Sequence, residues 1–122
     1  MTTPHPTLLL ICRDLMASSQ IEGQARAAGY SVVVRPSIAA AREYAESNCV
    51  EVIVTELLEN ASEMPDLIAT GIPVFAYASH VYERELNAAR ELGAVTFSRG
   101  QIASQLKHKL IELLNQAQRE AE

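Results

Sequence analysis

The feature that most constrains this sequence is a fivefold alternation between short apolar runs and helix-like segments. The short runs are apolar and mostly β-branched, which is typical of strands buried on both faces of a sheet. The segments between them repeat apolar residues at spacings of three and four, the period of an amphipathic helix. The predicted strands are Leu8–Cys12, Ser31–Val34, Val50–Thr55, Pro73–Tyr77 and Val95–Phe97.

Residues that favour helix ends mark the segments between these strands. Gly29 and Gly93 each follow a predicted helix as a C-terminal stop, and Ser37 is a candidate N-cap. The third helix must be short, because Pro65 and Gly71 interrupt the segment that would form it. The predicted helices are Ser18–Ala28, Ile38–Ser47, a short one within Asn60–Gly71, Val81–Leu92 and Ile102–Gln118.

Strands that alternate with helices require a parallel sheet with right-handed crossovers and helices on both faces. We therefore predict an α/β fold: a three-layer, doubly wound, five-stranded parallel sheet in the order 2-1-3-4-5, flavodoxin-like, with a shortened third helix. Because the third helix is short, we expect part of one sheet face to be exposed, or a groove beside the loops at the carboxyl ends of the strands.

Composition limits the classes of function. The chain is 48% hydrophobic and 20% charged, which is ordinary for a globular protein, and we predict one domain over 8–118 between disordered ends at 1–7 and 119–122. Its net charge of −5 argues against nucleic acid as a partner. The first residues lack the pattern of a secretion signal, and the longest apolar run is too short to span a bilayer. We expect a cytoplasmic protein that does not bind membranes.

The two cysteines, Cys12 and Cys49, form neither a CxxC motif nor a cluster with histidine. Zinc sites in proteins are built from such clusters. We therefore expect no metal site and no cofactor, and we interpret both cysteines as free thiols.

Three phrases in the sequence resemble a known family. They are AAGYSVVV at Ala27–Val34, IPVFAYASH at Ile72–His80 and NAARELGAVTF at Asn87–Phe97. Together with the spacing of the predicted elements, they resemble the receiver domains of two-component response regulators from Leu8 to about Leu114. The resemblance implies a receiver-like domain of bacterial signal transduction.

Receivers of this family transfer a phosphoryl group to themselves. Two carboxylates hold Mg²⁺, an aspartate accepts the phosphoryl group, and a hydroxyl and a lysine bind its oxygens; the cation and the lysine offset the charge on the transferred group. Each of these positions departs from the family pattern in this sequence. In the same order, they carry Cys12, Arg13, Glu56, Ala78 and Gly100.

Near-substitutes lie one residue away from three of these positions: Asp14 for a carboxylate, Ser79 for the hydroxyl and Arg99 for the lysine. Glu56 is either a permanent mimic of the phosphorylated aspartate, a structural partner of an arginine, or a solvated surface residue. The resemblance therefore implies a pseudo-receiver that is not an enzyme and that binds other proteins without being phosphorylated.

A second interpretation concerns the first loop, LLLICRDLMASS at Leu8–Ser19. It resembles the phosphocysteine loop in B components of sugar phosphotransferase systems. A thiolate at a helix N-terminus can accept a phosphoryl group. Asp14 counts against this interpretation, because it places a carboxylate where backbone amides would have to hold phosphate. A phosphoryl carrier that uses Cys12, or residual phosphorylation of an acidic residue, stays the alternative.

The resemblance also implies where partners bind. In this family the surface formed by the fourth helix, the fifth strand and the fifth helix commonly mediates dimers and partner docking. We expect another signalling protein or a second copy of the chain to bind there. The predicted contact residues are Tyr82, Glu85, Ala89, Phe97, Arg99 and Leu106. Phe97 is either a switch aromatic, as in receivers, or a phenylalanine at the edge of the core.

Overall fold

The computed structural model describes the backbone of residues 5–121, and the side chains of these residues except 58–60 and 117–121. Within this range, five strands form one sheet in the order β2-β1-β3-β4-β5. All four neighbouring pairs are parallel. The strands are β1 (Thr7–Ile11), β2 (Ser31–Arg35), β3 (Val52–Glu56), β4 (Val74–Ala78) and β5 (Val95–Ser98).

Five α-helices connect and follow the strands. They are α1 (Leu15–Ala27), α2 (Ile38–Ser47), α3 (Met64–Ile68), α4 (Glu83–Leu92) and α5 (Arg99–Ala121). Two 3₁₀ segments, Leu58–Glu63 and His80–Tyr82, precede α3 and α4. The predicted doubly wound fold, strand order and short third helix are confirmed.

Helices cover both faces of the sheet. One core lies under α1 and α5 and includes Leu8, Leu10 and Leu106; the other lies under α2, α3 and α4 and includes Leu9 and Ile11. Successive side chains of a strand point to opposite faces, so the unbroken apolar run of β1 contributes to both cores. This is why Leu8–Ile11 of β1 contain no polar residue.

Several predicted boundaries shift. The first helix begins at Leu15 rather than at Ser18, because Asp14 is its N-cap. Thr7 belongs to β1 and pairs with Ser31, and the Pro6 carbonyl accepts from the Ser31 amide at 2.8 Å. Strand β1 therefore begins inside the segment 1–7 that was predicted as a disordered tail; residues 1–4 lie outside the described part. The backbone of α5 continues to Ala121, beyond the predicted end of the domain at 118.

Two helix-end predictions are confirmed. The Ser37 hydroxyl accepts a hydrogen bond from the Ala40 amide at 3.2 Å and caps α2. Gly93 ends α4 with a φ of 113°, in the left-handed region that glycine adopts without steric cost. The cap at the start of α5 was not predicted. The Ser98 hydroxyl accepts a hydrogen bond from the Gln101 amide at 3.1 Å, and the Gln101 side-chain oxygen accepts one from the Ser98 amide at 2.9 Å.

The short third helix does not leave the sheet exposed as expected. Leu57, Met64 and Leu67 are almost completely buried and belong to the same core as Val74 and Ala76 of β4. Leu57, which follows β3, and Met64 and Leu67 of α3 together cover this part of the sheet. The expectation that part of one sheet face is exposed is therefore wrong.

Candidate functional site

A cleft of about 180 Å³ opens at the carboxyl ends of the strands. In doubly wound sheets, ligands bind beyond these ends. The residues that line the cleft come from the loop after β1, the first turns of α1 and α5, and the last residues of β3 and β4. They are Cys12, Arg13, Asp14, Ala17, Glu56, Tyr77 and Arg99. Five of the eight residues that the sequence indicated at the site are therefore brought together.

The centre of the cleft is a contact between a thiol and a phenol. The Cys12 sulfur lies 3.3 Å from the Tyr77 hydroxyl and 3.3 Å from the Asp14 carbonyl oxygen. The single thiol hydrogen points to the carbonyl, so the Tyr77 hydroxyl donates to the sulfur. Both side chains are buried, with exposed fractions of 8% for Cys12 and 2% for Tyr77. A hydrogen-bonded thiol and phenol thus lie side by side at the ends of the strands.

Tyr77 keeps its proton in this position. Burial raises its pKa well above the ordinary value of 10.0, and the hydrogen bond with Cys12 and the negative charge of Glu56 raise it further, while Arg99 acts in the opposite direction. A phenol that stays protonated is a hydrogen-bond donor and not a general base. Tyr77 therefore fills space and holds Cys12.

Asp14 stabilises the start of α1. One of its carboxylate oxygens accepts hydrogen bonds from the amides of Met16 at 2.9 Å and Ala17 at 3.4 Å. A capping carboxylate satisfies amides that would otherwise be open to an anion, and its negative charge suits the positive end of the helix dipole. The same amides are those that a phosphocysteine loop would offer to phosphate.

The arginines at the rim of the cleft are held in different ways. Arg13 is exposed, and its Nε donates to the Pro36 carbonyl oxygen at 3.1 Å, which ties the first loop to the start of α2. Arg99 is the exposed first residue of α5. Glu56, at the end of β3, is partly buried. With Asp14, the lining holds two guanidinium and two carboxylate groups, so its formal charges balance.

The described residues contain no group of three or more histidine, cysteine, aspartate or glutamate side chains that could hold a metal ion. Mg²⁺ binds oxygen ligands, and protein sites for it use carboxylates. Asp14 and Glu56 are the carboxylates among the lining residues, and Asp14 is engaged as a helix cap. The donor set of the cleft does not fit a magnesium ion.

Three of the predicted site residues do not line the cleft. Ala78 is buried and faces the core under α2, α3 and α4, together with Ala76. Ser79 is partly buried and precedes the 3₁₀ segment, where its carbonyl accepts from the Tyr82 amide at 3.0 Å. Gly100 is exposed in the first turn of α5. Ala78 and Gly100 stand at positions that the family pattern assigns to the site, and Ser79 is one residue away from such a position, but none of the three lines the cleft.

Tyr77 is the residue that sequence reasoning missed. The pattern Val-Phe-Ala-Tyr-Ala of β4 places both aromatic rings on one face and the small residues on the other. The second ring then lies at the end of the strand, next to the cleft. This alternation is the signal that places Tyr77 next to the cleft, whereas the apolar pattern alone predicts only a buried strand.

The predicted interaction surface is partly wrong. Tyr82, Glu85 and Arg99 are exposed, whereas Ala89, Phe97 and Leu106 are 2%, 3% and 0% exposed and belong to the core. Side chains this buried offer little surface to a partner, although Phe97 also lines a groove between α4 and β5. The Phe97 ring packs against Phe75, with ring centroids 5.4 Å apart and an angle of 54° between planes. Phe97 therefore occupies a core position.

What this surface does offer is a groove of about 430 Å³ between α4 and β5. Its wall is held by Arg90, whose guanidinium donates to the Thr96 hydroxyl at 2.7 and 3.1 Å and to the Asn87 side chain at 2.7 Å. His80 and Gln101 also line it. Sequence reasoning did not single out Arg90 or Thr96.

A search of the described residues for helices long and apolar enough to cross a membrane found none.

No protein-family model matches the sequence, and no curated protein matches it. Solved structures do. The receiver domain of the TMAO respiratory system response regulator TorR matches with a TM-score of 0.77 at 16% identity, over 95% of this chain and 98% of that chain. The chain has the fold of a receiver domain. A signal receiver domain of an HD domain-containing protein from Pseudomonas fluorescens Pf-5 matches with a TM-score of 0.81 at 12% identity, over 99% of this chain and 95% of that chain.

Full-length FixJ from B. japonicum gives a TM-score of 0.80 at 16% identity, over 98% of this chain but 62% of the FixJ chain. Identities this low establish the receiver fold and leave the chemistry of the site to be argued from its own residues. The cleft of this receiver-like domain lies where the sequence resemblance places the phosphoryl pocket of the family. Of the five positions that the resemblance assigns to that pocket, Cys12, Arg13 and Glu56 line the cleft, whereas Ala78 and Gly100 do not.

Proposed function

We propose that this receiver-like domain is a protein-interaction module of bacterial signal transduction that acts in the cytoplasm without being phosphorylated. The observation that supports this most is the content of the cleft. The Cys12–Tyr77 contact lies at its centre, and the carboxylate of Asp14 caps α1. Phosphoryl transfer depends on a metal ion and a lysine that offset the charge of the transferred group. Neither requirement is supported by the residues present.

The phosphoryl-carrier alternative is disfavoured by the same residues. Cys12 is buried, and its sulfur is held by the Tyr77 hydroxyl and the Asp14 carbonyl. A phosphoryl group on Cys12 would lie next to the Asp14 carboxylate, which already accepts the amide hydrogens at the start of α1. Repulsion between the two anions opposes that product.

Signalling by such a module proceeds through docking. The exposed part of the surface formed by α4, β5 and α5 supports this, because Tyr82, Glu85 and Arg99 present an aromatic ring and both signs of charge. The same surface includes the groove between α4 and β5. We propose that another signalling protein, or a second copy of the chain, binds there. The net charge of −5 is the reason for proposing a protein rather than a nucleic acid.

The experiment is incubation with Mg²⁺ and acetyl phosphate, followed by intact-protein mass spectrometry. We expect no phosphoryl adduct, while a receiver domain that phosphorylates normally, treated in the same way, gains one. A stoichiometric adduct on this chain contradicts the proposal. The variants Cys12→Ser, Asp14→Asn and Glu56→Gln assign its position: loss of the adduct in Cys12→Ser identifies a phosphoryl carrier, and loss in either of the others identifies residual phosphorylation of a carboxylate.

A further inference from the structure

Strand β2 lies at one edge of the sheet, and the direction of its main-chain groups follows from two hydrogen bonds. The Ser31 amide donates to the Pro6 carbonyl at 2.8 Å, and the Arg35 carbonyl accepts from the Cys12 amide at 3.2 Å. In a parallel pair, every second residue of a strand bonds to the same neighbour. Ser31 and Arg35 therefore face β1, and Val32 and Val34 direct their N–H and C=O groups away from the sheet.

One of these outward groups is covered by the chain itself. Nη1 of Arg35 donates to the Val34 carbonyl oxygen at 2.9 Å. The Arg35 guanidinium carbon also lies 5.0 Å from the centre of the Tyr44 ring on α2. The cation–π contact holds the side chain back along the edge, where it keeps the carbonyl oxygen occupied.

The sequence of β2 suits pairing with itself. Its residues are Ser-Val-Val-Val-Arg, without proline, and three β-branched side chains in succession favour a strand. In an antiparallel pair centred on Val33, Val32 of one copy faces Val34 of the other, and the two exchange both main-chain hydrogen bonds. Ser31 then faces Arg35, so no like charges are opposed. Such a contact is symmetric and closes as a dimer.

We propose that Arg35 is an edge guard that keeps β2 from pairing with β2 of a second copy of this chain. Pairing needs the Val34 carbonyl to accept from the Val32 amide of that copy. The Arg35 guanidinium already donates to this oxygen and places a positive charge at the edge, where charged side chains oppose strand pairing. The proposal is independent of the phosphorylation state of the cleft and of the surface formed by α4, β5 and α5.

The test replaces Arg35 by alanine and measures mass by light scattering after size exclusion, over a series of concentrations. We expect the apparent mass of Arg35→Ala to rise to about twice that of the wild-type chain at high concentration. Hydrogen exchange at the Val32 and Val34 amides should slow in parallel. The matched control is Arg42→Ala, which removes an exposed arginine of α2 rather than one of β2 and should leave the mass unchanged.

A second pair of variants separates edge pairing from other causes. Val34→Pro removes an N–H that faces away from β1, so the sheet retains its own hydrogen bonds while the edge loses a donor. Combined with Arg35→Ala, it should restore the wild-type mass. Tyr44→Leu keeps Arg35 but removes the ring that holds it, and should also raise the apparent mass above that of the wild-type chain. Wild-type mass in both Arg35→Ala and Tyr44→Leu, or association that persists with Val34→Pro, overturns the proposal.

Discussion

Helix α5 is tied to α1 and to Tyr30, which precedes β2, by hydrogen bonds from buried and part-buried side chains. Helices α2, α3 and α4 pack on the opposite face mainly through buried apolar side chains, and the exposed Arg90–Thr96 contact joins α4 to β5. On the first side, the Tyr30 hydroxyl donates to the Leu110 carbonyl at 3.1 Å. The Gln24 side chain donates to the Ile102 carbonyl at 2.8 Å and accepts from the Lys107 amide at 3.1 Å. On the second side, the core is apolar apart from Thr55.

The difference teaches what each kind of contact can fix. Hydrogen bonds are directional, so Gln24 and Tyr30 set the position of α5 along its axis and thereby hold Arg99 at the rim of the cleft. Apolar burial is non-directional and tolerates changes of length. This explains why the third helix can be reduced to five residues without exposing the sheet.

The largest expected effects are equal on the two sides. Leu67→Ala on α3 and Leu106→Ala on α5 each remove a completely buried side chain. We expect each to lower the free energy of unfolding by about 2–5 kcal/mol, through lost burial and the cavity left behind. Chemical denaturation followed by circular dichroism measures both. A loss below about 1 kcal/mol for Leu67→Ala alone would mean that α3 lies outside the cooperative core.

The next effect concerns the face of the sheet under α1 and α5 and depends on pH. Burial, with a contribution from the negative charge of Glu51, raises the pKa of Tyr30 from 10.0 to about 12. The unfolded phenol loses its proton near pH 10 and the folded one near pH 12, so the stabilisation is complete below pH 10 and is lost as the pH rises toward 12. Tyr77 acts with the same sign, because its pKa is also raised.

Tyr30→Phe should therefore lower the free energy of unfolding by about 1 kcal/mol at neutral pH. It should also reduce the further loss between pH 10 and pH 12. Thermal unfolding across this pH range measures both effects, and Tyr44→Phe, on α2, is the matched control, because Tyr44 is only partly buried whereas Tyr30 is buried. An alkaline loss as steep in Tyr30→Phe as in the wild-type chain would refute the role of this hydroxyl.

The smallest effect concerns Gln24. Gln24→Ala removes two hydrogen bonds from partly solvated groups, and we expect a loss of about 1 kcal/mol. Hydrogen exchange should quicken around Lys107 while the amides of α4 are unchanged. Gln20→Ala, one turn earlier on α1 and exposed, is the control and should show neither effect. Equal exchange at Lys107 in both variants would show that apolar packing alone positions α5.

The order and type of the elements could be predicted from the sequence, because burial on both faces leaves continuous apolar runs and each helix carries its own period. The exact first and last residues of the helices were harder to predict from the sequence. Asp14 was interpreted as a stand-in metal ligand, so its role as the cap of α1 was missed and the helix was started at Ser18. Ser98 and Gln101 likewise form a capping pair that the apolar pattern of α5 does not reveal.

The sequence predicted where in the fold the candidate site lies, but not the side-chain contacts within it. The carboxyl ends of parallel strands meet at one edge, so Cys12, Glu56 and Arg99 were expected together and line one cleft. The contact between Cys12 and Tyr77 joins residues 65 positions apart, and no local pattern specifies it. Burial of Ala89 and Leu106 depends on which way each helix is rotated, which a family resemblance does not give.

The cap at Asp14 also limits what engineering or evolution can do with this domain. Using this side chain to bind a cation would remove the acceptor that the opening turn of α1 uses. A variant engineered to bind a cation through Asp14 is therefore expected to be less stable, unless a new cap is introduced first. Helix stability and cation binding compete for the same carboxylate.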